Sequence, residues 1–105
     1  MVEFPNIDVP TLESWQQEDR AVLLIDVRED WEREAFNIGG DWYPMEQFIR
    51  NTPELPTDRP VVVYCQKGIR SAICIQRLAP KYPDVQFYNL QKGIAYLRPA
   101  WSTGF

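Results

Sequence analysis

The chain has 105 residues, 45% of them hydrophobic and 25% charged, with a formal net charge of -4 and no histidine. That is enough apolar material for one domain with one core, and the acidic balance excludes nucleic acid and anionic membrane surfaces, which need a basic footprint. The missing imidazole excludes Cys-His and Ser-His-Asp catalysis; with no Cys/His/Asp cluster at metal spacing, neither a metal nor another cofactor is expected.

In chain order, the opening MVEFPNIDVP lacks the basic start and apolar core of a signal peptide. No apolar run approaches the roughly 18–20 residues of a membrane span, so a cytoplasmic protein is expected, with Cys65 and Cys74 as thiols. NIDV (6–9) reads as a short edge strand. TLESWQQE (11–18) reads as a short helix with Thr11 as its N-cap and Leu12 and Trp15 apolar. AVLLID (21–26) is a continuous apolar run of strand length, buried on both faces. EDWEREAF (29–36) reads as an amphipathic helix with Trp31 and Ala35 one turn apart. IGGD (38–41) is a turn. WYPMEQFIRN (42–51) starts extended and turns helical after Pro44.

LPTDRP (55–60) is a loop, and VVVYC (61–65) is a second buried strand. IRSAICIQRLA (69–79) is a helix with Ala72, Ile75 and Leu78 on one face, stopping at Pro80. VQFYNL (85–90) is a third strand. GIAYLRPAW (93–101) reads as a short terminal helix disturbed by Pro99. Strands alternating with helices imply an α/β fold, a central parallel sheet with helices on both faces, over residues 1–105 as a single domain. In such folds ligands sit at the carboxyl ends of the strands. Cys65 is at that end of the strongest strand.

The segment CQKGIRS (65–71) carries the chemistry. A loop between a buried strand and a helix N-terminus offers backbone N–H groups and a dipole that favour an anion. Gly68 permits tight curvature, and Lys67 and Arg70 add positive potential. Such a setting favours a thiolate on Cys65 without a histidine, and its amides suit a terminal sulfur anion. The bland alternative is a small buried hydrophobe at a strand end.

Four segments in order give the chain a wider likeness: LIDVRED (24–30), Glu32 to Gly40 ending NIGG, VVVYCQKGIRSA (61–72) and YNLQKGI (88–94). Together they resemble the rhodanese-like domains, a sulfurtransferase family, over essentially the whole chain. The resemblance implies that Cys65 takes a sulfane sulfur from a donor, thiosulfate or a protein persulfide, and passes it to a thiophilic acceptor. It also implies that the amides of Gln66, Lys67, Gly68, Ile69 and Arg70 cradle the sulfur while Ser71 starts the helix. Departures from the family pattern stand at the rim: Phe36 and Asn37 replace Gly and His, Gly39 and Asp41 replace the frequent Pro and small residue, Lys92 replaces the first of two glycines, and Tyr96-Leu97 stand where Ala-Trp is common.

Two rivals stand beside sulfur transfer. One is a non-catalytic binding or sulfur-carrier module; similar domains occur fused to adenylyltransferases of cofactor biosynthesis, from which such a chain could be excised. The other is a cysteine phosphatase, whose loop before the arginine is one residue longer than the four residues between Cys65 and Arg70.

Asp26 and Arg28, two apart at a strand end, read as structural, with Glu32 as the partner of Arg28; the functional alternative is site shaping or an anion contact. Cys74 reads as a core thiol rather than a resolving one. Trp31, Trp42, Tyr43 and Phe48 read as core or rim packing rather than a substrate mouth. Glu29, Asp30, Glu32 and Glu34 read as a solvated helix face.

Overall fold

The computed structural model describes residues 3–18 and 21–97. Its elements are β1 (Asn6–Ile7), α1 (Val9–Gln17), β2 (Leu23–Asp26), α2 (Asp30–Ala35), β3 (Asp41–Trp42), α3 (Met45–Arg50), β4 (Pro60–Tyr64), α4 (Ile69–Leu78), β5 (Gln86–Leu90) and a 3₁₀ turn, Ala95–Leu97. The strands form one sheet in the order β1-β5-β4-β2-β3, and every pairing is parallel. Among the described residues no helix is long and apolar enough to cross a membrane.

The continuous apolar runs become the central strands because both faces of the sheet are covered. Side chains alternate along a strand. Ile25, Val61 and Val63 therefore enter one cluster with Phe48 of α3 and Cys74, Ile75 and Leu78 of α4. Leu24, Val62 and Tyr64 enter the other with Val9 and Leu12 of α1 and with Ile94. Each of Val61, Val62 and Val63 is fully buried, which stabilises the fold by about 1.5–3 kcal/mol per side chain.

The helix α1 begins where local chemistry satisfies a free amide. The cap of α1 is Asp8, not Thr11: its Oδ1 accepts from the Thr11 amide at 2.9 Å and from the Thr11 hydroxyl at 2.6 Å. Pro10 fits the first turn, where a missing N–H costs nothing, so the helix starts ahead of it and shortens the edge strand to two residues. In α2 the expected face is inverted. Trp31 is 68% exposed and Glu32 only 7%, and Ala35 is exposed as well. The apolar inward contacts come just after the helix, from Phe36 and Ile38. The helix expected at 93–101 is a 3₁₀ turn over Ala95–Leu97, and Pro99 and Trp101 lie outside the described residues.

The central strands β2 and β4 are hydrogen-bonded neighbours. The chain leaving β4 enters α4 over the first cluster, and the chain leaving β2 runs through α2 to the second. The two paths diverge at the carboxyl edge, which is where such sheets open a crevice.

Candidate active site

Cys65 follows the last residue of β4 and is 1% exposed. Its Sγ accepts from the Gly68 amide at 3.1 Å and from the Ser71 amide at 3.4 Å. The Ser71 hydroxyl oxygen lies 3.3 Å from the same sulfur. The amides that reach the sulfur thus belong to Gly68 and Ser71, not to the whole run 66–70. The reason is the turn: Gly68 caps α4 in the left-handed conformation, φ +87°, and folds the loop back over the sulfur. A Cβ there would stand 3.0 Å from the Lys92 amide nitrogen.

The turn after β5 clamps the start of this loop. The Ile94 amide donates to the carbonyls of Cys65 and Gln66 at 3.2 and 3.1 Å, and the Ala95 amide to that of Gln66 at 2.8 Å. Gly93 makes the approach possible: a Cβ on it would lie 2.4 Å from the Cys65 oxygen and from the Gln66 carbonyl.

Arg28 locks the β2 side. It is 1% exposed. Nε and Nη2 donate to Asp26 at 2.9 and 3.0 Å, Nη2 also to the Phe36 carbonyl at 2.7 Å, and Nη1 to the Glu32 carbonyl at 3.3 Å and to Gln66 Oε1 at 2.9 Å. Those five bonds occupy all five guanidinium donors. The guanidinium also lies over the Tyr64 ring, 5.6 Å from its centroid. Asp26 further receives Arg33 at 3.1 Å. Burial and the Asp26 charge push the Tyr64 phenol up to about 12, and its hydroxyl donates to the Gly39 carbonyl. The donors of Arg28 are therefore all engaged within the fold, with Asp26 as its ionic partner; the expected Glu32 supplies only a backbone oxygen, because its carboxylate is engaged elsewhere.

That engagement is with Arg70. Nη1 and Nη2 reach the two Glu32 oxygens, each at 2.7 Å. The Arg70 hydrogen bonds hold the Glu32 carboxyl below the usual carboxylate range despite burial, helped by the Glu29 amide. The same bonds push the Arg70 guanidinium up. Glu32 is thus the residue misjudged as solvated; Glu29, Asp30 and Glu34 are exposed as expected.

Glu32, Cys65, Gln66, Lys67, Ile69 and Arg70 line a cleft of about 320 Å³. Larger hollows occur elsewhere on the surface, but this one has the thiol at its floor. A family model described as "Rhodanese-like domain" matches residues 8–98. The chain belongs to the rhodanese-like domain family. It is 38% identical over 84 residues to the uncharacterized protein YqhL of Bacillus subtilis, covering 79% of this chain and 66% of that one. It is 36% identical over 64 residues to a probable adenylyltransferase/sulfurtransferase, MoeZ, of Mycobacterium tuberculosis, covering 58% of this chain and 16% of that protein. A rhodanese-like domain protein from Staphylococcus aureus has the same fold, with a TM-score of 0.74 at 22% identity over 87% of this chain and 88% of that one.

In this rhodanese-like domain the candidate residues divide by task. Gly68 and Ser71 touch the sulfur. Lys67 and Ile69 are exposed at the rim, Ile69 at 65%. Gln66 turns its side chain to Arg28. Cys74 is fully buried in the first cluster, with burial foremost in pushing its thiol up to about 12. Phe48 is core and Tyr43 stacks on it at 6.0 Å. Trp42 is 39% exposed and donates its indole N–H to the Arg28 carbonyl. Trp31 is exposed on α2 and does not line the cleft.

Asn89 was missed by sequence reasoning. It is 5% exposed, accepts from the Ser71 hydroxyl, and donates to Asn6 Oδ1 at 3.0 Å and the Gly68 carbonyl at 3.3 Å. The available signal was a polar residue set between Tyr88 and Leu90 near the carboxyl end of the strand.

Proposed function

We propose that this domain is a sulfurtransferase that carries a sulfane sulfur as a persulfide on Cys65. The observation that carries the proposal is a buried sulfur at the floor of an open cleft, held by two amides of a strand-to-helix loop. The amides of Lys67, Ile69 and Arg70 donate to no acceptor among the described residues. They are free for an anion placed beyond Sγ.

The reaction divides into two displacements. The Cys65 thiolate attacks the outer sulfur of the donor; the donor S–S bond breaks, and the donor leaves with the electron pair as sulfite or a thiolate. An acceptor nucleophile then attacks the terminal sulfur of the Cys65 persulfide, and its S–S bond breaks to return the thiolate. Neither step consumes an external oxidant or reductant. Covalent catalysis replaces one hard transfer by two easier ones.

Relatives support the class of chemistry: the name of the Mycobacterium protein pairs adenylyltransferase with sulfurtransferase. The two free thiols suit a reducing compartment. Donor and acceptor are thus a sulfane-sulfur compound, thiosulfate or a protein persulfide, and a thiophile.

Exposure to thiosulfate or to a small organic persulfide, followed by mass spectrometry, tests the proposal. Cys65 should gain one sulfur atom and lose it to cyanide, and folded Cys65→Ser should gain none. A folded wild-type domain that loads from neither donor is a binding module instead.

A further inference from the structure

Ser71 and Asn89 form a chain of hydrogen bonds behind the nucleophile, and the direction of that chain is fixed from its far end. The Asn89 amide group sits 3.3 Å from the Gly68 carbonyl and 3.0 Å from Asn6 Oδ1. The Gly68 carbonyl carries no proton, so the NH₂ end of Asn89 must face it. Asn89 Oδ1 therefore faces Ser71, and the Ser71 hydroxyl donates to it. A serine hydroxyl has one proton. With that proton given to Asn89, Ser71 offers only lone pairs to the Cys65 sulfur 3.3 Å away. Cys65, Ser71 and Asn89 are 1%, 0% and 5% exposed, so bulk water does not compete for these bonds.

We propose that Asn89 is a positioning residue that keeps the Ser71 hydroxyl an acceptor toward Cys65, so that the resting nucleophile holds its proton as an S–H to Ser71 Oγ bond. The Gly68 and Ser71 amides favour an anion at the sulfur, and Asn89 withholds the third donor that would complete it. An uncharged thiol avoids the cost of a buried charge at an idle site and reacts slowly with stray electrophiles, since the thiolate is the nucleophile. The other titratable or charged groups around the sulfur are Glu32, Lys67 and Arg70 in the cleft, Arg28 behind Gln66, Cys74 on α4 in the same cluster, and Lys92, whose backbone abuts Gly68. None of their side chains hydrogen-bonds Sγ among the described residues, so Ser71 is the switchable partner.

The inference rests on Cys65 as the nucleophile, but alkylation tests it without any sulfur transfer. The rate of iodoacetamide reaction at Cys65, followed by peptide mass spectrometry against pH, is the readout. Asn89→Ala should release the Ser71 proton toward the sulfur, raise the rate at neutral pH roughly three- to tenfold, the size of one hydrogen bond, and move the pH profile acidward. Asn89→Asp keeps an acceptor for Ser71 and should not accelerate. In a Ser71→Ala background the gain from Asn89→Ala should vanish. Should Asn89→Ala not fold, Asn89→Leu, which keeps the buried volume, is read in the same way. A folded Asn89→Ala or Asn89→Leu with an unchanged profile overturns the inference, and so does a gain that persists without the Ser71 hydroxyl. Failure of persulfide loading with the expected alkylation pattern would instead overturn the sulfurtransferase assignment alone.

Discussion

Glu32 and Arg70 meet across the cleft as a bidentate pair, 38 positions apart in the chain, and tie α2 to the start of α4 beside Cys65. Their side chains are 8% and 31% exposed, so the pair is more sheltered than a surface bridge. It leaves Lys67 as the cation of the cleft lining with no ion pair among the described residues.

Removing the carboxylate should destabilise the fold. Glu32→Ala is expected to cost about 1–3 kcal/mol at neutral pH, the range for a charged hydrogen-bonded partner. The Glu32 carboxyl is lowered in the folded state, first by the Arg70 hydrogen bonds. Its contribution is therefore present above the unfolded carboxylate value, near 4, and is lost as pH falls through the lower folded value. Urea denaturation of wild type and Glu32→Gln should show a gap at neutral pH that closes in acid. A gap independent of pH would show that the carboxylate charge contributes nothing.

The two loop cations should behave differently. Lys67→Ala should slow loading from thiosulfate about three- to tenfold at low salt, with the deficit shrinking as salt screens the exposed charge. Loading from a small organic persulfide, which carries one negative charge against the two of thiosulfate, should suffer less. Arg70→Ala should impair both donors, because it frees the loop from α2 and leaves Glu32 unpaired near the thiol. Equal, salt-insensitive losses for both variants and both donors would contradict this division.

The turn behind the loop should be sensitive in opposite directions at adjacent residues. Gly93→Ala would drive a methyl into the Cys65 and Gln66 backbone; a loss of about 2–4 kcal/mol and of sulfur loading is expected. Lys92 holds φ +66° with a side chain, a conformation that costs an L residue about 1–2 kcal/mol. Lys92→Gly should return part of that, a net gain of about 0.5–1 kcal/mol after the extra unfolded-state entropy of glycine. Thermal melts of both variants decide it; a melt lowered by Lys92→Gly would show that the side chain makes up for its backbone.

Cys74 should be chemically silent. It is fully buried, and burial pushes its thiol up to about 12. Cys74→Ala should keep sulfur loading and cost about 1–3 kcal/mol from the small void it leaves. Under native conditions Cys74 should resist alkylation while Cys65 reacts. Loss of loading in a folded Cys74→Ala domain would give it a resolving role.

Much of this was legible in the residues. VVVY and LLI are apolar on consecutive positions, and runs this short, set between turn signals, suit strands covered on both faces, so the α/β class and the place of Cys65 at a strand end followed from local pattern. Gly68 before an amphipathic stretch marked the loop-to-helix start for the same reason. What the pattern misread was Glu32. An isolated helix with Trp31 and Ala35 one turn apart turns its carboxylates to water, and a partner 38 positions away reverses that preference. The actual partner of Arg28, the reach of only the Gly68 and Ser71 amides to the sulfur, and the seat of Asn89 behind Ser71 were decided by the tertiary structure alone. The seat of Asn89 depends on segments that approach only when the strands take the order β1-β5-β4-β2-β3; Asp26 stands two residues from Arg28, and the two amides three and six residues from Cys65, so there the fold selects among local partners. Periodicity records which face of an element avoids water; which polar groups then meet at the carboxyl edge is settled by the parallel pairing that brings β2, β4 and β5 side by side.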